Sequence, residues 1–271
     1  MEKQDMKIKG ICGIRFFCVL WMLTVLSPAL RAQTGLPVMV RVEGGTFLMG
    51  GEPGGAGGGA HEVTLSTFFL AEAEVTQALW KEVMGNNPSR FTGDDRPVDS
   101  ASWLDAVGFC NALSEKAGLP PAYEIAGNTV TWRREAGGYR LPTESEWEYA
   151  ARGGINGVSG QALYAGGEKP EDVGWYDGNS GKVSHPVKGK APNGLGLYDM
   201  SGNLWEWCWD YYGEYPRQAV TDPSGPAESP RRVLRGGAWF TPVNLLRVTY
   251  RYWNSPGFKA NSVGFRLARN G

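Results

Sequence analysis

The sequence predicts a loop-rich fold of short strands and few long helices, held together by aromatic packing. Two observations predict it. The 271 residues include 39 glycines and 11 tryptophans, an unusual usage for a domain built of long elements. The hydrophobic fraction is nevertheless 42%, that of a globular protein. The length suits one large domain or two small ones. A net charge of −1 gives no broad electrostatic grip on nucleic acid.

The elements follow in order. Lys3, Lys7, Lys9 and Arg15 precede an apolar run at 16–26, then Ser27, Pro28 and Ala-Leu-Arg-Ala-Gln. This is the pattern of a secretory signal peptide, with cleavage near Ala32. The run is too short for a transmembrane span. Residues 1–32 are therefore expected to be a leader, residues 33–271 the exported domain, and no transmembrane segment is expected after cleavage. Cys12 and Cys18 lie within or before the apolar run, so neither is placed for lipid modification. Cys110 and Cys208 remain. Export would allow them to pair, but two separate buried thiols is the simpler reading.

Residues 42–50, VEGGTFLMG, read as a strand entered through a Gly-Gly turn. Residues 50–60, almost all glycine, read as an exposed loop, and without Lys-Ser/Thr and a following helix they are no phosphate cradle. Residues 63–70 read as a strand. Residues 76–84 read as a helix capped by Thr76 and stopped by Gly85. Trp103, Val107, Cys110 and Leu113 share one face of a helix over 103–117. At 140–151, RLPTESEWEYAA, Thr143 and Glu146 form a capping box before Trp147 and Tyr149. Glu144, Glu146 and Glu148 could be general acids, but acids in first turns more often serve the cap and the macrodipole.

Residues 193–210, NGLGLYDMSGNLWEWCWD, form the densest motif, with three tryptophans in five positions. Asp199 and Glu206 flank a Gly-Asn turn. Carboxylates and turn carbonyls are hard oxygen donors that suit calcium. The alternative is that Asp199 caps a turn and Glu206 pairs with an arginine, for instance from Arg231–Arg235.

VEGGTFLMG, EVTQALW, RPVDSASWLDAVGFCNALS, YRLPTESEWEYAAR, PNGLGLYDMSGNLWEWCWD, RRVLRGGAW and VGFRL appear in the order and spacing of the formylglycine-generating enzyme (sulfatase-modifying factor) family, which the chain resembles from about Val38 to its end. The resemblance implies an α+β, C-type-lectin-like fold of the family's elaborated kind, with short sheets, two main helices and much irregular chain. It also implies a structural calcium ion held by Asp199, Gly202, Leu204 and Glu206, and a second near 173–181. The family's oxidase chemistry needs copper on two cysteines between RGGS and the next arginine. Here that segment, GGAWFTPVNLLR, has no cysteine, and soft Cu(I) needs thiolates. An iron-dependent branch needs a histidine-rich site, and this chain has only His61 and His185. Neither copper nor iron is expected, and no catalytic residue is assigned.

The C-terminal segment has its own logic. Gly236, Gly237, Trp239, Arg247, Arg251, Pro256, Gly257, Gly264, Phe265 and Arg266 read as fixed scaffold. Between them stand Phe240, Thr241, Pro242, Asn244, Leu245, Tyr250, Tyr252, Trp253, Asn254, Ser255, Phe258, Ala260, Asn261 and Ser262. Tyr, Trp, Asn and Ser dominate adaptable binding surfaces, because aromatics give contact area at low entropy cost and Asn and Ser give flexible hydrogen bonding. The pattern resembles the variable proteins of diversity-generating retroelements, the treponemal ones in particular. In these, adenines of Asn-type codons are randomised in a C-terminal region, here about 236–268. Every residue type in the set is reachable that way except Trp253, which needs a different starting codon. A packed core loop would be the plain alternative, but exposed aromatic clusters mark binding surfaces. The expectation is a non-enzymatic, exported binding protein, at the cell surface, outside the cell or in the periplasm. Its C-terminal surface would take a protein or other macromolecular ligand and no nucleic acid. The alternatives are a formylglycine-generating or related oxidase, and a structural subunit of an envelope complex.

Overall fold

Strands near residue 40 and near residue 270 meet on a shared partner. β1 (Met39–Val42) and β12 (Ala268–Asn270) both pair antiparallel with β4 (Phe68–Ala71), one on each side. The structure, a computed structural model, describes residue 1 and residues 35–51, 59–157 and 162–271. The expected leader and most of the glycine loop lie outside the described residues. Leu36–Gly271 is one compact unit.

Three further sheets carry the rest. β2 (Gly45–Met49) pairs antiparallel with β3 (His61–Leu65), which takes β8 (Val220–Thr221) on its other edge. The expected strand at 63–70 is thus two strands broken at Ser66-Thr67. The sheet that positions the C-terminal segment runs β10 (Tyr252–Asn254), β9 (Arg232–Arg235), β7 (Trp205–Tyr211), β11 (Val263–Gly264). β5 (Tyr123–Ala126) and β6 (Thr129–Trp132) form a hairpin.

The helices sit where capping chemistry puts them. α1 (Gln77–Met84) starts at Thr76, whose side chain accepts from the Leu79 N–H, and stops at Gly85 with φ 74°. α2 (Trp103–Lys116) opens on a Ser102–Asp105 capping box and buries Trp103, Val107, Cys110 and Leu113. α3 (Glu144–Ala151) has the expected Thr143–Glu146 box, and all eight of its residues are buried. α4 (Pro170–Val173) is a single turn. Cys110 and Cys208 are free and buried, in different parts of the core, as two separate thiols.

The glutamates of α3 do more than cap. Glu146 receives two guanidinium hydrogens from Arg140, at 2.6 and 2.7 Å. Glu148 pairs with Arg235 and Arg152. Glu144 takes Arg251 in a two-pronged grip at 2.6 and 2.7 Å. A helix this polar can be buried only because each carboxylate has its own guanidinium.

Candidate functional site

Six of the ten expected scaffold residues of the C-terminal segment are buried; Trp239, Arg247 and Pro256 are half-buried and Gly257 is exposed, a correction to the expected frame. Arg235, Arg251, Arg266, Gly236, Gly237 and Phe265 all lie inside. Gly236 and Gly237 have φ of 96° and 82°, where a side chain is strained. A Cβ on Gly236 would stand 3.2 Å from the Trp147 ring. Arg251 holds Glu144, and Arg266 donates to Glu206 through Nε and Nη2, both at 2.6 Å.

On this frame β10 is an edge strand, its Tyr252 paired with Leu234 and its Trp253 with Val233. Tyr252 is 41% exposed. Its ring lies 5.2 Å from Trp205 and stacks with Trp253 at 6.3 Å. Trp205 also meets Tyr250 at 6.0 Å, and Trp253 meets Tyr212 at 6.1 Å. The Arg231 guanidinium lies 3.5 Å over Trp253. A second group gathers at Trp239, whose ring meets Phe91 at 5.5 Å and Phe240 at 5.3 Å. Phe240 is 50% exposed. The two groups are tied through consecutive residues. The Trp239 Nε1–H donates to the Asn261 carbonyl at 3.0 Å, and the Trp205 N–H donates to the Ser262 carbonyl at 2.9 Å.

The remaining expected positions divide. Pro242, Asn244 and Ser255 are exposed, while Leu245, Asn254 and Asn261 are half-buried. Phe258 and Ala260 are half-buried against the main core. Thr241 and Ser262 belong to the frame instead, a correction to the expected set. Thr241 is 3% exposed, and its hydroxyl accepts from the Ala238 N–H at 3.0 Å and donates to the Ala238 carbonyl at 2.8 Å, closing the turn. Ser262 is 6% exposed, with its backbone tied to β7. Residue type does not separate these two from the surface set. Conversely, Phe91, Arg231 and Tyr212 join the surface from distant segments with no sequence signal beyond being aromatic or basic.

The expected calcium residues are brought together but do not offer a calcium cage. Both Glu206 oxygens face Arg266, and Oε2 also accepts from Trp147 Nε1 at 2.7 Å. Glu206 thus has an arginine partner, and that partner is Arg266 rather than one from the 231–235 run. Asp199 has φ 56°, and its Oδ2 accepts from the Lys188 N–H at 2.7 Å while Oδ1 is buried without a partner. Burial raises the Asp199 carboxyl to about 6. Burial, then Asp199 and Glu206, raises Glu74, which accepts from the Leu204 N–H and the Asn203 amide. Gly202 at φ 103° is pressed against Trp175. A guanidinium already seated on Glu206 repels a second cation, so Asp199, Gly202, Leu204 and Glu206 in this arrangement do not fit calcium. Among the described residues no group of three or more His, Cys, Asp or Glu side chains is placed to hold a metal.

The thiols do not suit copper chemistry. Burial raises both Cys110 and Cys208, so neither presents a thiolate, and neither reaches the C-terminal surface. The histidines are apart in role as well. His185 stacks on Trp175 at 3.8 Å, while His61 packs on Tyr215 at 4.7 Å. No helix among the described residues is long and apolar enough to cross a membrane.

Comparison with known proteins agrees with this architecture. The sequence pattern of the sulfatase-modifying factor enzyme 1-like domain family matches residues 26–271. The chain is 38% identical over 259 residues to the "Chaperone protein LppX" of Paenibacillus barcinonensis, covering 83% of this chain and 85% of that protein. It is 32% identical over 299 residues to the formylglycine-generating enzyme of Streptomyces coelicolor, covering 90% and 95%. Among solved structures it superposes on Treponema denticola variable protein 1 with a TM-score of 0.80 at 35% identity, covering 86% of this chain and 95% of that one. The fold is thus the C-type-lectin-like α+β fold of these relatives, and the chain belongs to the sulfatase-modifying factor (formylglycine-generating enzyme-like) family.

Proposed function

We propose that this protein is a non-enzymatic binding protein whose C-terminal surface takes a protein or other macromolecular ligand, and whose residues within about 236–268 are diversified by a retroelement. One observation carries the reading: buried Gly236, Gly237, Arg251, Phe265 and Arg266 alternate along the segment with exposed Phe240, Pro242, Asn244, Tyr252 and Ser255. Tyr250, Arg251 and Tyr252 illustrate it, with the arginine locked on Glu144 and the tyrosines turned to Trp205. Exposed aromatic side chains on a rigid frame give contact area at low entropy cost. The likeness in sequence and fold to a variable protein of Treponema denticola supports the reading. Two separate thiols buried away from this surface argue against oxidase chemistry there. The proposed setting is outside the cytoplasm, at the cell surface or beyond it.

Sequencing the DNA beside the gene tests this. A near-copy of the codons for residues 236–269, differing only where the copy has adenine, is the expected result. Its absence, with no reverse transcriptase gene nearby, removes diversification and leaves a fixed-partner envelope subunit as the reading.

A further inference from the structure

A concave site lies on the other side of Arg251 from the exposed Tyr252. A cleft of about 330 Å³ opens between the start of α3 and the chain from the end of β7 past β8, residues 210–226. Its wall is apolar, formed chiefly by Tyr211, Tyr215, Pro216 and Pro226. Its floor is polar and buried: His61, Glu144, Asp210 and Arg251 are each at most 5% exposed. Asp210 is five residues along β7 from Trp205, roughly 16 Å at the rise of a strand.

One carboxyl on this floor lacks an ion-pair partner. Glu144 has Arg251 and Glu148 has Arg235. Asp210 has no ion-pair partner among the described residues; its Oδ2 accepts the Glu144 N–H at 2.9 Å. Glu144 and Glu146 of α3 and Arg251 act on Asp210. Arg232 of β9 also feels it, but that guanidinium is stacked on Tyr211 and Trp103 and gives its Nη1 hydrogen to the Trp209 carbonyl. Glu214, His61, Tyr211 and Tyr215 complete the charged or titratable groups of the cleft, and burial raises Tyr215, whose hydroxyl donates to Glu144 Oε1 at 3.1 Å. His61 is 5% exposed, and its Nδ1 is buried with no hydrogen-bond partner. Burial keeps Asp210 protonated in the empty cleft, and a ligand that brings hydrogens and positive charge would let it ionise while giving the imidazole nitrogen a donor.

We propose that this cleft binds a small organic amine with an apolar body, its ammonium group between Asp210 and His61 and its body against Tyr211, Tyr215 and the prolines. The size is that of a small-molecule pocket. The ammonium group would give ionised Asp210 the direct ion pair that Arg251, held on Glu144, and Arg232, stacked on Tyr211 and Trp103, do not make. Burial, then the neighbouring Glu144, raises the empty-site carboxyl to about 8, so at neutral pH the amine displaces a proton from Asp210 as it binds. The site shares Arg251 with the frame of the C-terminal segment but uses none of its outer residues, so its failure would leave the proposed function untouched.

Calorimetric titration of the full exported chain with benzylamine, and with benzyl alcohol as its uncharged counterpart, tests the proposal. The expected result is saturable benzylamine binding at least about tenfold tighter than benzyl alcohol. Its affinity should rise about tenfold between about pH 6 and 7, with one proton released. Asp210→Asn keeps an acceptor for the Glu144 N–H and should abolish the preference for the amine. Equal affinity for amine and alcohol, no binding of either, or an Asp210→Asn variant as selective as the parent would overturn it. Should that variant not fold, the comparison of benzylamine with benzyl alcohol on the unmodified chain decides by itself.

Discussion

Arg251 grips Glu144 with two hydrogen bonds, Nε to Oε1 at 2.6 Å and Nη2 to Oε2 at 2.7 Å, from a position between Tyr250 and Tyr252. A residue in the middle of the proposed variable segment is thereby fastened to the first turn of the most deeply buried helix. The Arg251 guanidinium also lies 3.9 Å over Tyr215 and donates to the Gly213 carbonyl. Arg235 and Arg266 do the same on Glu148 and Glu206. These arginines, rather than the outer residues between them, tie the segment to the core.

Removing one such arginine should therefore be costly. Arg251→Leu leaves Glu144 short of its main partner, and breaking a buried pair this way typically costs about 3–5 kcal/mol. Chemical denaturation should show a loss of that order. A loss below about 1 kcal/mol would mean that water reaches Glu144 and the frame is looser than described.

Tyr252→Ala should behave oppositely. Its side chain is 41% exposed and its ring touches Trp205 and Trp253. Stability should fall by less than about 1 kcal/mol, as for most surface changes. Capture of a ligand by the C-terminal surface should be lost. A melting temperature that collapses along with binding would make Tyr252 a core residue and sink the surface reading.

Thr241 offers the contrast within the same segment. Thr241→Val keeps the shape but leaves the Ala238 N–H and carbonyl without their side-chain partner. A buried donor so orphaned costs about 1–3 kcal/mol. Denaturation curves should register that loss, and a neutral substitution would return Thr241 to the variable set.

Much of this is legible in the chain. Thr76, Thr143 with Glu146, and Gly85 announce helix ends through local hydrogen bonds that need no tertiary knowledge. The frame arginines are legible as residues that pair, but their partners are not. Arg266 finds Glu206 across 60 residues, and only the parallel pairing of β11 with β7 brings them together. Thr241 and Ser262 share the alphabet of their exposed neighbours, so the sequence hides their burial. The cleft at Asp210 is likewise hidden, because its floor comes from β3, α3, β7 and the chain before β10.

The same arginine decides the calcium question. With Arg266 on both Glu206 oxygens, added calcium or its removal by a chelator should leave the melting temperature unchanged to within about a degree. A ligand that binds only the folded state must raise it. A clear rise with calcium would require Arg266 to leave Glu206, and Arg266→Ala should then enhance the effect rather than destabilise the protein.

Two buried carboxyls should give stability opposite slopes with pH. Burial alone would raise Glu144, but Arg251 and Arg235 outweigh it and hold the group below its ordinary value. Its contribution is present above the unfolded carboxylate range and is lost as pH falls through the folded value. Asp210 is raised to about 8, by burial first and by Glu144 second. Folded Asp210 keeps its proton where the unfolded chain has lost it, so its contribution is fully present below about pH 4 and drains away as pH rises to about 8, by at most about 1.4 kcal/mol per pH unit. Asp210→Asn should flatten that limb and make the variant more stable than the parent at about pH 8, while leaving the acid limb from Glu144 in place. Denaturation midpoints across that range check the sign. A variant that is less stable than the parent at about pH 8 would mean that Asp210 is ionised in the folded protein, with a cation beside it.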